Sequence, residues 1–150
     1  MHACAAAGAS FLVAVLWFDL MFDVQTRRHA GTVLPAEVLA SIGGYYRRVT
    51  TEATPMNRLI TVVMGVTVVS IIIEIVRVAA PWWVSWISLA GAVSGIGLAA
   101  TRTIPDAVRL GRAVEPPDVQ SRLARSVYRD HLFCLAAMTL VVALQLAAGV

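Results

Sequence analysis

Lysine is absent: all twelve basic residues of the 150-residue chain are arginine, which fits GC-rich bacterial coding better than a functional choice. Charge of either sign is scarce, at 14% of residues, while 59% are hydrophobic. A soluble globular domain carries about 25% charged and about 45–50% apolar residues, so an ordinary water-soluble core is excluded. The signatures of most chemistries are missing too. There is no H-E-x-x-H or clustered Cys/His spacing for zinc and no Glu-x-x-His repeat for a di-iron bundle. Phosphate loop, haem-attachment motif, dinucleotide fingerprint and a nucleophile with its base and orienter are absent as well. Cysteine is limited to Cys4 and Cys134. The start, Met1-His2-Ala3-Cys4, has neither the basic segment of a secretory signal nor an apolar run before Cys4, and is read as part of a first membrane helix.

What the chain does have is four apolar runs, over residues 5–24, 59–80, 82–100 and 131–150. A bilayer core about 30 Å thick is crossed by about 20 apolar residues in helical form, so each run is long enough to span. The β-branched run from Thr61 to Val76 would favour a strand in water. In hydrocarbon its backbone bonds have to be made internally, which requires a helix. Eleven of the arginines (27, 28, 47, 48, 58, 102, 109, 112, 122, 125 and 129) fall in or beside the connections 27–54 and 102–129, and only Arg77 lies toward the other side. By the positive-inside rule those connections face the cytoplasm, and both termini and the turn Ala79-Ala80-Pro81 face outward. Such arginines are ordinary in multi-pass proteins and meet anionic lipid, so no nucleic-acid partner is expected. The bilayer then separates Cys4 from Cys134 and forbids a disulfide.

In chain order, span one starts on small residues, Ala5 to Ser10, suited to close helix contact. It ends at Arg27, Arg28 and His29, and the two arginines are the ordinary partners for Asp23. The first connection predicts a short amphipathic helix from Pro35, lying on the membrane interface, bent or broken at Gly43-Gly44 and followed by Tyr45-Tyr46-Arg47-Arg48 as an interface anchor. Thr54 is expected to cap span two, with Pro55 in its first turn. Glu74 lies three residues before Arg77, which predicts an ion pair along one helix face at the outer rim, beside a belt of Trp82, Trp83 and Trp86. Gly91, Gly95 and Gly97 permit close packing on span three, and Pro105 should end or kink that helix. From Asp118 one helix runs to the end of the chain, its first third projecting into the cytoplasm with Arg122, Arg125 and Arg129 facing anionic lipid or the acids of span one.

The residues able to carry chemistry gather on one side. Asp19 and Asp23 sit four apart on span one and share a helix face. An ionised Asp deep in a bilayer costs about 2.5–3.5 kcal/mol, so the fold has to supply partners. Hairpin topology brings Glu52, Asn57, Arg58, Arg102, Asp106, Asp130 and His131 to the same side and predicts a polar chamber open to the cytoplasm. With as many arginines as acids there, a salt-bridge network is the plainest reading. No cofactor is expected; a metal, if bound, would use Asp19, Asp23 and His131.

Two short motifs, Pro105-Asp106-Ala107-Val108-Arg109-Leu110 after span three and Tyr128-Arg129-Asp130-His131 entering span four, resemble those of the anthrone-oxygenase-like family of small bacterial membrane proteins. The four-span outline is also similar to the transmembrane-protein-205-like group. Asp106 stands where the first family tends to have Asn after the proline, and Tyr128 where Trp usually precedes the histidine. The resemblance implies the four-span fold and, by the first family's name, an oxygenase activity. Together these readings give a single all-α domain, an integral membrane four-helix bundle of the bacterial inner membrane, possible as a homo-oligomer or part of a larger complex. The leading functional expectation is an accessory or interaction subunit. The alternatives are an oxidoreductase-like enzyme acting on a lipophilic substrate at a carboxylate/His site, and a proton- or ion-coupled transporter or channel.

Overall fold

A computed structural model describes residues 1–78 and 81–149, and among them there is no strand. The helices are α1 (His2–Asp23), α2 (Ala36–Arg47), α3 (Thr54–Arg77), α4 (Trp82–Leu98), α5 (Ile104–Arg112) and α6 (Pro117–Ala148). Four helical stretches, His2–Arg28, Thr54–Arg77, Trp82–Arg112 and Pro117–Ala148, are long and apolar enough to cross a membrane. The expected turn at 79–81 lies mostly outside the described residues.

The four long rods form a square in which α1 packs on α3 and α6, and α4 packs on the same two helices. Polar side chains lie inside among apolar ones, and many large apolar side chains lie outside. Thr67, Ser70, Glu74, Ser85, Ser88 and Gln145 are buried, whereas Val62, Val69, Val76, Trp82 and Trp86 are exposed. An apolar surface over buried polar side chains suits hydrocarbon better than water. Close approach is supplied by small residues. Ala5 and Ala9 are buried on α1, and a Cβ on Gly95 would stand 3.0 Å from Met138 Cε of α6. Gly91 and Gly95 of α4 thus serve packing against α6, whereas Gly97 faces open space.

A second core caps the arginine-rich end. Val38, Leu39, Ile42 and Tyr46 on one face of α2 pack with Ala107 and Leu110 of α5 and Leu123, Ala124 and Val127 of α6. The amphipathic helix from Pro35 forms, but its apolar face is spent on protein instead of the membrane surface. Gly43 and Gly44 do not interrupt it. A Cβ at Gly43 would come within 3.2 Å of Leu110 O, and one at Gly111 within 2.8 Å of Arg47 N, so glycine is what lets α2 and α5 touch.

Pro105 does not end its helix either. From α4 the chain passes through a wide π-turn, Ala99–Thr103, into α5, and Ile104 N–H bonds Ala99 O. The missing proline N–H thus falls where the bonding pattern changes, at little cost. Ala53, not Thr54, is the N-cap of α3, with no side-chain cap. Arg125 does not meet the acids of α1; it donates to the carbonyls of His29, Gly31 and Thr32. Leu34 N–H donates to Ser121 Oγ at 2.9 Å, so the loop before α2 is tied to α6 along its length.

Candidate functional site

Asp19 and Asp23, one turn apart on α1, face α2 and the middle of α6. Asp23 is wholly buried and uses both carboxylate oxygens. Tyr46 O–H donates to Oδ1 at 2.7 Å, and His131 Nδ1 lies 2.7 Å from Oδ2. A carboxylate only accepts, so His131 carries its proton on Nδ1. The other ring nitrogen, Nε2, is then turned toward Asp19 Oδ2 at 3.9 Å. Asp19 in turn accepts from Tyr45 O–H at 2.6 Å, and the Tyr45 ring stacks on Phe22 with centroids 4.0 Å apart. Thr26 Oγ1 donates to Asp23 O at 2.8 Å and closes the end of α1. The result is a chain of five side chains, Tyr45, Asp19, His131, Asp23 and Tyr46, with each carboxylate held by one phenol.

The phenols are fixed as donors. Burial, and after it the neighbouring carboxylates of Asp19 and Asp23, push both hydroxyls above the ordinary tyrosine range. Both therefore stay protonated wherever the protein is folded near neutral pH.

Beside this chain lies a cavity of about 440 Å³, bounded by α1, α2, α3, α4, α5 and α6. Its walls are apolar, with Leu16, Met56, Ile60, Met64, Ile96 and Met138 among them. Asp19, Tyr45, Tyr46 and His131 form its polar end, with Asn57, Thr103 and Cys134 elsewhere on the wall. Asp23 is not part of the lining; it stands behind His131.

The structure brings together only part of the polar set that the sequence gathers. Arg102 lies 3.2 Å from Asp130 Oδ2 and donates to Ser126, and Thr103 O–H reaches the same Asp130 oxygen at 3.4 Å. Asp106 is 4.0 Å from Arg109, which pairs more closely with Glu115 at 2.7 Å. Asn57 Nδ2 lies 3.5 Å from Thr50 O, while Arg58 and Glu52 are exposed. The expected ion pairs thus form at Asp130 and Asp106, but among the described residues no arginine reaches Asp19 or Asp23, which are met by phenols and an imidazole. Asp23 turns away from Arg27, Arg28 and His29 because it lies on the inner face of α1. Glu74 and Arg77 likewise do not pair, since Glu74 is buried and Arg77 is exposed; Glu74 Oε1 lies instead 3.4 Å from His2 Nδ1. Among the described residues no three His, Cys, Asp or Glu side chains are grouped to hold a metal.

Tyr45 and Tyr46 are the site residues that sequence reasoning placed elsewhere, as interface anchors. For Tyr46 a signal exists, because it continues the spacing of Val38 and Ile42 on the buried face of α2. Tyr45 carries no comparable mark. No protein-family model, no curated protein and no solved structure matches this chain.

Proposed function

We propose that the protein sits in the bacterial inner membrane with both ends outside and the arginine-rich connections in the cytoplasm against anionic lipid. There it binds a lipophilic molecule and exchanges a proton with that molecule's polar head. The observation that carries this reading is the placement of Asp19 and His131 at the polar end of a largely apolar cavity of about 440 Å³. Ligand sites are commonly apolar hollows of about 300–1,000 Å³ with a few convergent polar groups. An accessory subunit, alone or as a homo-oligomer, has no need of such a hollow.

The chemistry follows from the hydrogen bonds. Asp23 holds the Nδ1 proton and so keeps the Nε2 lone pair of His131 available. An acidic O–H or C–H seated beside it transfers its proton to Nε2, and the positive charge formed lies between two carboxylates. Tyr45 keeps Asp19 aimed at that nitrogen. The reverse step returns the proton to the ligand, so nothing is consumed. Oxidation of the ligand would require an electron acceptor besides; the acid–base part is what this chain supplies.

The test is titration with 2-naphthol, a lipophilic phenol with its own fluorescence, into the purified protein in detergent. One site per chain is expected, abolished in Ile96→Trp, which fills the cavity. Asp19→Asn should weaken binding about tenfold, the range for losing a hydrogen bond to a charged group. Equal uptake by wild type and both variants overturns the reading.

A further inference from the structure

Of the helices around the acid–base cavity, all but one are anchored at the cavity's end of the bundle by buried side chains. Asp23 holds α1 there, Tyr46 holds α2, Ala107 and Leu110 hold α5, and Asp130 and His131 hold α6. The exception is α3. Its buried side chains, Thr67, Ser70, Ile71 and Glu74, all lie in its second half, and residues 54–66 include none. Yet everything that α3 contributes to the cavity wall (Met56, Asn57, Ile60, Thr61 and Met64) comes from that first half.

The two halves are also fastened differently. Gly8 of α1 leaves no room for a Cβ beside Thr67, so the second half lies tight against α1. In the first half, Ile60, Val63 and Met64 are only partly buried against the core, and Asn57 Nδ2 reaches Thr50 O, in the turn before α3, at 3.5 Å. A joint stands at each end of residues 54–64. Ahead of them the π-turn Arg48–Glu52 breaks at Ala53, whose φ of −86° and ψ of 47° are not helical. Behind them is Gly65, in mid-helix, with nothing within 4 Å of an added Cβ, so packing does not call for glycine there. Glycine without a packing reason weakens a helix and eases its bending. The cavity's rim lies on both sides of this segment. Phe18 of α1 is 62% exposed, and Met56 of α3 and Ile104 of α5 are each 49% exposed, although all three line the cavity.

We infer that residues 54–64 of α3 form a side gate, which swings about Ala53 and Gly65 and lets the lipophilic ligand pass directly between the bilayer and the cavity. For its ligand and its membrane setting the inference rests on the proposed function. Lipid makes the motion inexpensive. Ile60 and Met64, the large groups that would leave the core, pass into hydrocarbon as apolar as themselves, whereas in water the same opening would expose them. The helix keeps its own backbone hydrogen bonds as it swings, as a segment in lipid has to. The rim of Phe18, Met56 and Ile104 is apolar, so a ligand coming from the acyl chains meets only hydrocarbon there, before its head reaches Asp19 and His131.

The rates of 2-naphthol binding test the gate, followed by stopped-flow fluorescence with the protein in phosphatidylcholine vesicles. Where passage needs an open gate, association and release both scale with the fraction of time it is open. Gly65→Ala puts a methyl group into open space and stiffens the joint, so both rates should fall together, about fivefold each, with Kd unchanged. Gly44→Ala, at an equally open glycine of α2 outside the gate, should leave both rates at their wild-type values. Rates that Gly65→Ala does not alter overturn the inference, and so does a fall in the release rate alone, which a tighter site without a gate would give. In either case 2-naphthol still binds and the cavity reading stands; a wild type that binds no 2-naphthol overturns both.

Discussion

His131 Nδ1 on α6 and Asp23 Oδ2 on α1 lie 2.7 Å apart, although 108 positions separate them in the chain, and neither is open to solvent. That bond joins the two helices with the most extensive mutual packing in the bundle, and it divides the two aspartates by role. Asp23→Asn keeps the shape but presents an N–H to a donor, at an expected loss of about 1–3 kcal/mol in stability with ligand binding impaired only indirectly. Asp19→Asn, at the cavity's edge, should spare most of the stability and lose binding. Unfolding midpoints and 2-naphthol titrations of the two variants measured side by side check this division; equal behaviour contradicts it.

Alkaline pH should act through α2. Both hydroxyls of Tyr45 and Tyr46 titrate above their unfolded value of 10.0, so their contribution to stability is full below about pH 10. It is lost progressively as pH rises from there toward the folded-state values. Tyr45→Phe with Tyr46→Phe should therefore flatten the alkaline decline in Tm. The phenolate absorbance that develops in the folded protein below about pH 12 should be unchanged by the double substitution. A smaller absorbance step in the variant would show that these phenols ionise freely.

The contact between α2 and α5 predicts opposite effects for two glycines. At Gly111 a methyl group meets backbone, Arg47 N at 2.8 Å and Tyr46 C at 3.0 Å, which cannot step aside. Gly111→Ala should cost about 1–3 kcal/mol and, by shifting Tyr46, loosen its bond to Asp23. Gly44, with nothing within 4 Å of an added Cβ, should gain up to about 1 kcal/mol as alanine. Denaturation midpoints of both variants decide the matter.

Orientation can be read by labelling. Val114 is 80% exposed, in the connection between α5 and α6. With Cys4 and Cys134 replaced, Val114→Cys should resist a membrane-impermeant maleimide in intact cells and react in inverted vesicles. Labelling in intact cells would reverse the proposed topology.

Much of the architecture was legible because the solvent dictates it. Apolar runs of spanning length and lopsided arginines leave few alternatives, and the four long helices follow the four runs. Asp19, Asp23 and His131 could be brought to one end by hairpin counting alone. The identity of their partners was not legible. Arginine was the expected neighbour of each acid from proximity in sequence, but an α1 side chain on the inner face sees α2 and α6, not the arginines that follow it. Pro105 misled because proline's cost presumes an α-helical bonding pattern, and the π-turn before it changes that pattern. Tyr45 and Tyr46 misled because an interfacial tyrosine and a buried one look alike until the helix bearing them is placed.

The position of α2 has a consequence for how the chain can be altered. Both phenol hydroxyls that hold the two aspartates come from α2, a segment outside the four long helices. The connection between α1 and α3 is thus a plug, not a tether. Exchanging it for a flexible linker of equal length would leave four rods in place around a bare pair of aspartates.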